Sequence, residues 1–213
     1  MSSLRSVTEP IAALADWRLR VAQLYLAQPV EGEEAWKRFR RGRDELFRTH
    51  PQSPLTDEQR DAFEGLPYFP HRAEAVVRCR LERTTEEEPL EIDTGGEDGV
   101  IRYRRVGRLD TAWGELTLFW VLGYGGGLFL PFRDETAGGD SYGGGRYLTD
   151  TVKGTFGRGV TLAADADEAT LDFNYSYNPS CAYNSRWACP LAPPENRLLE
   201  PVPAGERAFP NPV

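Results

Sequence analysis

The chain has 213 residues, 40% of them hydrophobic, which suits one domain whose core needs neither disulfides nor metals merely to fold. The formal net charge of -8 gives an acidic surface that repels phosphate backbones, so nucleic-acid partners are not expected. The most apolar stretch, Leu116 to Leu122, is too short to cross a bilayer, and Glu9, Asp16, Arg18 and Arg20 interrupt the N-terminal apolar runs. No membrane or secretory segment is therefore expected, and the reading is cytoplasmic.

Residues 9–28 read as an amphipathic helix. Thr8 or Glu9 caps it, Pro10 fits its first turn, and Pro29 ends it. Ile11, Leu14, Trp17, Val21 and Leu24 recur at spacings of three and four, so they share one face, expected to pack on the β-rich part. A second helix is predicted from about Glu33 to Arg48, with Trp36, Phe39, Leu46 and Phe47 as its apolar side. Lys37, Arg38, Arg40, Arg41 and Arg43 on that helix read as a solvated basic face balanced by acidic neighbours. Thr56-Asp57-Glu58-Gln59 matches a capping box and starts a third, short helix that Gly65 and Pro67 stop.

Near Ala73 the periodicity changes from helical to alternating. Ala75, Val77, Cys79 and Leu81 alternate with Arg78, Arg80 and Glu82, as in a half-buried strand. Leu90 and Ile92 suggest another strand, and 100–106 alternates again. Residues 115–122 form a strong strand, with Leu116, Leu118, Trp120 and Leu122 on one side. Further strands are predicted at 128–132, 145–149, 158–163 and 170–174, with a turn at Asp165-Ala166-Asp167 and a last short strand near Leu198–Val202. Successive short strands joined by glycine-containing turns predict an antiparallel meander that curls into a barrel or packs as a sandwich. The fold class is α+β in one domain: a helical part over 1–70 packed on a β-rich part over 71–213.

Two segments are unusual for strands and turns. The first runs from Phe132 through Asp134, Thr136 and Tyr142-Gly143-Gly144-Gly145-Arg146-Tyr147-Leu148. The second is Leu171-Asp172-Phe173-Asn174-Tyr175-Ser176-Tyr177-Asn178-Pro179-Ser180-Cys181-Ala182-Tyr183. It is followed by Cys189-Pro190, Pro194-Glu195-Asn196 and Ala204-Gly205-Glu206. Together with Trp17-Arg18 and Ser53-Pro54-Leu55, these motifs resemble the uncharacterised DUF1684 family over nearly the whole chain. Ser141 stands where threonine is usual in that pattern, and Ser176 where alanine is usual. The resemblance implies no activity.

The chemistry must therefore be read from the residues. Asp134, Arg146 and Asp172 are charged groups in segments expected to approach one another, and Tyr142, Asn174, Asn178, Tyr183 and Asn196 add neutral donors and acceptors. Arg146 can grip an anion with its planar fork, and Gly143 to Gly145 leave room beside it. The leading expectation is a small-molecule-binding protein, with or without catalysis, whose polar pocket takes a small anionic ligand on these eight residues. The alternative is a structural or interaction protein in which the same side chains satisfy irregular backbone. A third reading is a metal- or cysteine-dependent hydrolase using Cys181 and Cys189. A zinc site would need two more ligands, however; no second cysteine pair exists, and the only histidines, His50 and His71, sit in the helical part or its exit. The glycine run is not a phosphate loop, since it leads into a strand rather than a helix. The residues name no cofactor and no catalytic group.

Overall fold

The computed structural model describes residues 2–26, 32–162 and 167–210. Among the described residues three helices precede the strands: α1 (Ser2–Tyr25), α2 (Glu33–Thr49) and α3 (Asp57–Asp61). α1 starts seven residues before the expected position and runs through Pro10, which forgoes one backbone hydrogen bond without ending the helix. Pro29, expected to stop it, lies outside the described residues. α3 is capped as its sequence requires, with Thr56 Oγ1 accepting from Gln59 N and the Gln59 side chain accepting from Thr56 N. It ends at Asp61, short of Gly65.

Eight strands follow among the described residues: β1 (Val76–Arg83), β2 (Leu90–Asp93), β3 (Val100–Thr111), β4 (Gly114–Val121), β5 (Leu128–Phe132), β6 (Arg146–Asp150), β7 (Val160–Leu162) and β8 (Glu168–Asp172). All pair antiparallel in the order β6-β5-β4-β3-β1-β8-β7, with β2 added to β3. The first half of β1 pairs with β8 and its second half with β3, so β1 is where the sheet curls over. The two end strands, β6 and β7, are consecutive in the chain and come together. Thr155 bridges Asp150, and Gly159 lies so close to the Leu148 carbonyl that a β-carbon there would sit 2.1 Å from the oxygen. The result is a nearly closed antiparallel barrel. The expected strand near Leu198–Val202 does not form. That stretch is irregular, and its backbone groups bond to side chains, Val202 N to Asp134 and Val202 O to Arg146.

Alternation decides what each barrel face meets. Leu81, Leu109, Leu116, Leu118, Leu130, Leu148 and Leu171 fill the interior. Their neighbours Phe119, Phe129 and Tyr147 point the other way, onto Tyr25, Trp36 and Phe39 of α1 and α2. β5 and β6 are therefore buried on both faces, and so is the centre of β4. Trp120, expected inside with Leu116 and Leu118, is 41% exposed, with its indole lying against Gly126 in the turn that follows β4.

α1 and α2 pack antiparallel. Tyr25 meets Phe39 near one end, and Trp17 meets Phe47 and His50 near the other. α1 extends past the end of α2 from there, which leaves Ile11 64% and Leu14 39% exposed, contrary to the single apolar face expected. Trp17 is half-buried, and its ring contacts are on α2 rather than on the barrel. The indole N–H of Trp36 on α2 docks the helices to the barrel by donating to the Asn174 carbonyl at 3.1 Å.

Candidate functional site

The motif residues fall into four groups. The first is a buried salt bridge. Gly145, at φ 91 and with the Phe132 carbonyl where a β-carbon would go, turns the chain so that Arg146 enters the protein with no exposure. Its guanidinium pairs with Asp134 Oδ1 at 2.9 Å. It also donates to the carbonyls of Val202 at 2.9 Å, Ala204 at 2.5 Å and Glu206 at 3.3 Å. The second Asp134 oxygen accepts from Thr136 Oγ1 and Val202 N, both at 2.8 Å. Burial pushes the Arg146 pKa down, and Asp134 opposes that shift. Arg146 was expected to hold a ligand anion. Its charge partner is Asp134, and most of its donors bind the C-terminal segment.

Asn174 and Asn196 make up the second and third groups, and each imitates a strand. Asn174 accepts from Arg72 N at 2.9 Å and donates to Arg72 O at 2.8 Å, and Asp172 Oδ1 accepts from both its side chain and its backbone. Burial raises the Asp172 pKa, while the hydrogen bonds from Asn174 hold it down. Asn196 accepts from Thr117 N at 2.8 Å and donates to Thr117 O and Pro131 O. It sits where β4 and β5 stop pairing and where Pro131 has no N–H to offer, so its amide completes the ladder.

The fourth group surrounds Glu206. Gly205, at φ 78, has Ser176 Oγ 1.9 Å from the place of a β-carbon, so only glycine lets the chain pass there. It delivers the fully buried Glu206 carboxylate to Arg43 Nη2 at 3.0 Å, to the Tyr183 hydroxyl, which donates to Oε1, and to Asn178 N at 3.2 Å. Burial raises the Glu206 pKa, and Arg43 is the chief influence lowering it. The buried ring of Tyr25 and the half-buried ring of Tyr68 lie in the same field, and burial pushes their phenol pKa values up. The Glu206 carbonyl on Arg146 and the Glu206 carboxylate on Arg43 join this group to the first in one polar network.

A cavity of about 50 Å³ opens beside this group. Trp17, Val21, Phe47, Pro54, Tyr147 and Tyr177 supply its apolar walls, and Arg43, Lys153, Thr155, Asn178, Ser180 and Tyr183 its polar ones. Two polar atoms on those residues, Arg43 Nε and Asn178 Oδ1, are buried and have no hydrogen-bond partner among the described residues. Of the eight residues chosen from sequence, Asn178 and Tyr183 line this cavity. Asp134 and Arg146 reach it only through Glu206. Asp172, Asn174 and Asn196 stand elsewhere in the barrel wall, and Tyr142 contacts Cys181 at 3.5 Å. The four residues Asp134, Arg146, Asp172 and Asn178 thus do not share one cleft.

Arg43 and Glu206 were missed as site residues. Arg43 read as part of a solvated basic face, yet it is buried. The signal was its spacing: Phe39, Arg43 and Phe47 are four apart and lie on the apolar stripe, which a solvated arginine would avoid. Glu206 stood in a matched motif but at the end of an irregular tail, with no pattern to show its depth.

The family model described as protein of unknown function (DUF1684) matches residues 61–207. The chain belongs to the DUF1684 family. The match contains every barrel strand and both arms of the Glu206 network except Arg43, which α2 contributes from outside it. This DUF1684 chain is also similar to the solution NMR structure of an uncharacterized protein from Haloarcula marismortui. The two are 36% identical, with a TM-score of 0.56, covering 80% of this chain and 91% of that one. No curated protein matches the chain. Among the described residues no helix is long and apolar enough to cross a membrane.

Proposed function

We propose that this protein binds a small polar molecule in the cavity between α1, α2 and the 177–180 segment. One observation carries the reading: Arg43 Nε and Asn178 Oδ1, a donor and an acceptor, are both buried, both unpartnered among the described residues, and both belong to residues lining that cavity. Leaving such groups unsatisfied costs about 1–3 kcal/mol each, and a bound ligand or water removes that cost. The cavity holds a few waters, or a ligand of about as many non-hydrogen atoms. The ligand must accept from Arg43 and donate to Asn178. An amide, or a carboxylic acid in its neutral form, does both. A permanent anion fits less well, because Arg43 is already neutralised by Glu206 and Lys153 stands 3.8 Å from Asp150.

The second reading is that the motif residues serve the fold alone. It draws on the internal bonds of Asp134, Arg146, Asn174 and Asn196. The test that separates the two begins with native mass spectrometry of the purified protein. It continues with thermal unfolding in acetamide and in acetate at matched ionic strength. A small adduct released on denaturation, or a rise in Tm with acetamide that Asn178→Leu abolishes, supports ligand binding. A clean apo mass, with no shift in either solute up to about 100 mM, leaves only the structural reading.

A further inference from the structure

Next to the cavity, but not lining it, lies a pair of thiols. Cys181, half-buried, and Cys189, buried, are both free and stand in hydrogen-bond contact with each other. The Cys189 sulfur also accepts from the backbone N–H groups of Ser180 and Cys181, and Lys153 adds positive potential. On the other side, the Tyr142 hydroxyl lies 3.5 Å from Cys181 Sγ. The bond from the Cys181 thiol is the largest influence holding the Cys189 pKa down, at about 6, while burial opposes it. The same bond and burial push the Cys181 thiol up. Cys79 shows the ordinary behaviour of a buried thiol. Its sulfur faces the Ala169 carbonyl at 3.7 Å, and burial raises its pKa.

We propose that Cys181 and Cys189 form a two-electron redox site, which a small hydroperoxide oxidises to an intramolecular disulfide. The Cys189 thiolate attacks one oxygen of hydrogen peroxide. The O–O bond breaks, hydroxide leaves, and Cys189 becomes a sulfenic acid. The Cys181 sulfur then displaces the sulfenic oxygen, which departs as water with the Cys181 proton, and the S–S bond forms. The two thiols lose two electrons, and the peroxide is reduced to water and hydroxide. This pairing needs little motion, since the two thiol side chains are already hydrogen-bonded neighbours. The proposal stands apart from the ligand reading, because neither cysteine lines that cavity.

The experiment is titration of the fully reduced protein with hydrogen peroxide, followed by thiol counting, intact mass and peptide mapping. The expected result is loss of two of the three thiols at one equivalent and a mass lower by about 2 Da. The map should join Cys181 to Cys189 and leave Cys79 free. Cys181→Ser should stop at a sulfenic acid on Cys189, trapped by dimedone. Cys189→Ser should consume peroxide at least about 10-fold more slowly. A disulfide between chains, a bond to Cys79, or three thiols surviving a ten-fold excess of peroxide overturns the proposal. So does an unchanged rate in Cys189→Ser. If that variant does not fold, the map of the parent protein decides alone.

Discussion

Arg146→Met removes a charge while nearly keeping length, and the structure sets what it costs. Asp134 loses its 2.9 Å partner in a place without solvent, and uncoupling a buried ion pair costs about 3–5 kcal/mol. Asp134 keeps its bonds from Thr136 and Val202, which places the loss near the low end, about 3 kcal/mol. The carbonyls of Val202, Ala204 and Glu206 lose their donors too. One of them left unpaired adds about 1–3 kcal/mol. The sum is at least about 4 kcal/mol, against roughly 5–15 kcal/mol for a whole domain. With a urea slope of about 2 kcal/mol/M, the unfolding midpoint falls by about 2 M. Arg146→Lys should fall between, since one ammonium cannot span the carboxylate and three carbonyls that the guanidinium reaches. Urea unfolding followed by tryptophan fluorescence measures all three proteins. A methionine variant whose midpoint lies within about 0.3 M of the parent would refute the reasoning and return Arg146 to the role of a ligand-binding group.

Asn196→Ala strands Thr117 N–H and two carbonyls between β4 and β5, so thermal unfolding should show a loss of about 2–4 kcal/mol. Asn196→Asp should be no milder, because it turns a carboxylate oxygen toward the Thr117 and Pro131 carbonyls; parental stability in either variant contradicts the ladder role. For pH, burial raises the Asp150 pKa and Lys153 opposes it. The native state therefore holds a proton that the unfolded chain has already released above about pH 4. The contribution of Asp150 to stability is full below that point and is lost as pH rises through the native value. Urea unfolding from about pH 3.5 to 7 should show the parent losing its advantage over Asp150→Asn as pH rises, and the opposite slope would contradict the sign.

The reach of the sequence can be traced residue by residue. The Thr56–Gln59 box is settled within four residues, and Ala75 to Leu81 alternate in the sequence as they do in the barrel, because neighbours along the chain set both. The helix-to-strand switch near Ala73 holds for the same reason. Partner identity was not local. Arg146 promised an anion site, but whether its anion is a ligand or Asp134 depends on how β6 meets the segment before β6 and the chain end. Asn174 and Asn196 looked like ligand groups because an amide reads alike whether it binds a solute or imitates a peptide.

Amphipathic spacing, cap chemistry and period-two alternation are short-range properties, and from them the chain by itself determined three helices followed by antiparallel strands; the meander expected from the turns holds for β3 to β6, while β1 pairs with β8 across the chain. Tertiary structure alone decided the near-closure of the barrel, the outer burial of Phe119, Phe129 and Tyr147 beneath two helices, and the depth of Arg43 and Glu206. Those two residues are 163 positions apart. What joins them is the burial of charge: a carboxylate and a guanidinium removed from water must find each other, and no pattern within one element records which pair does so.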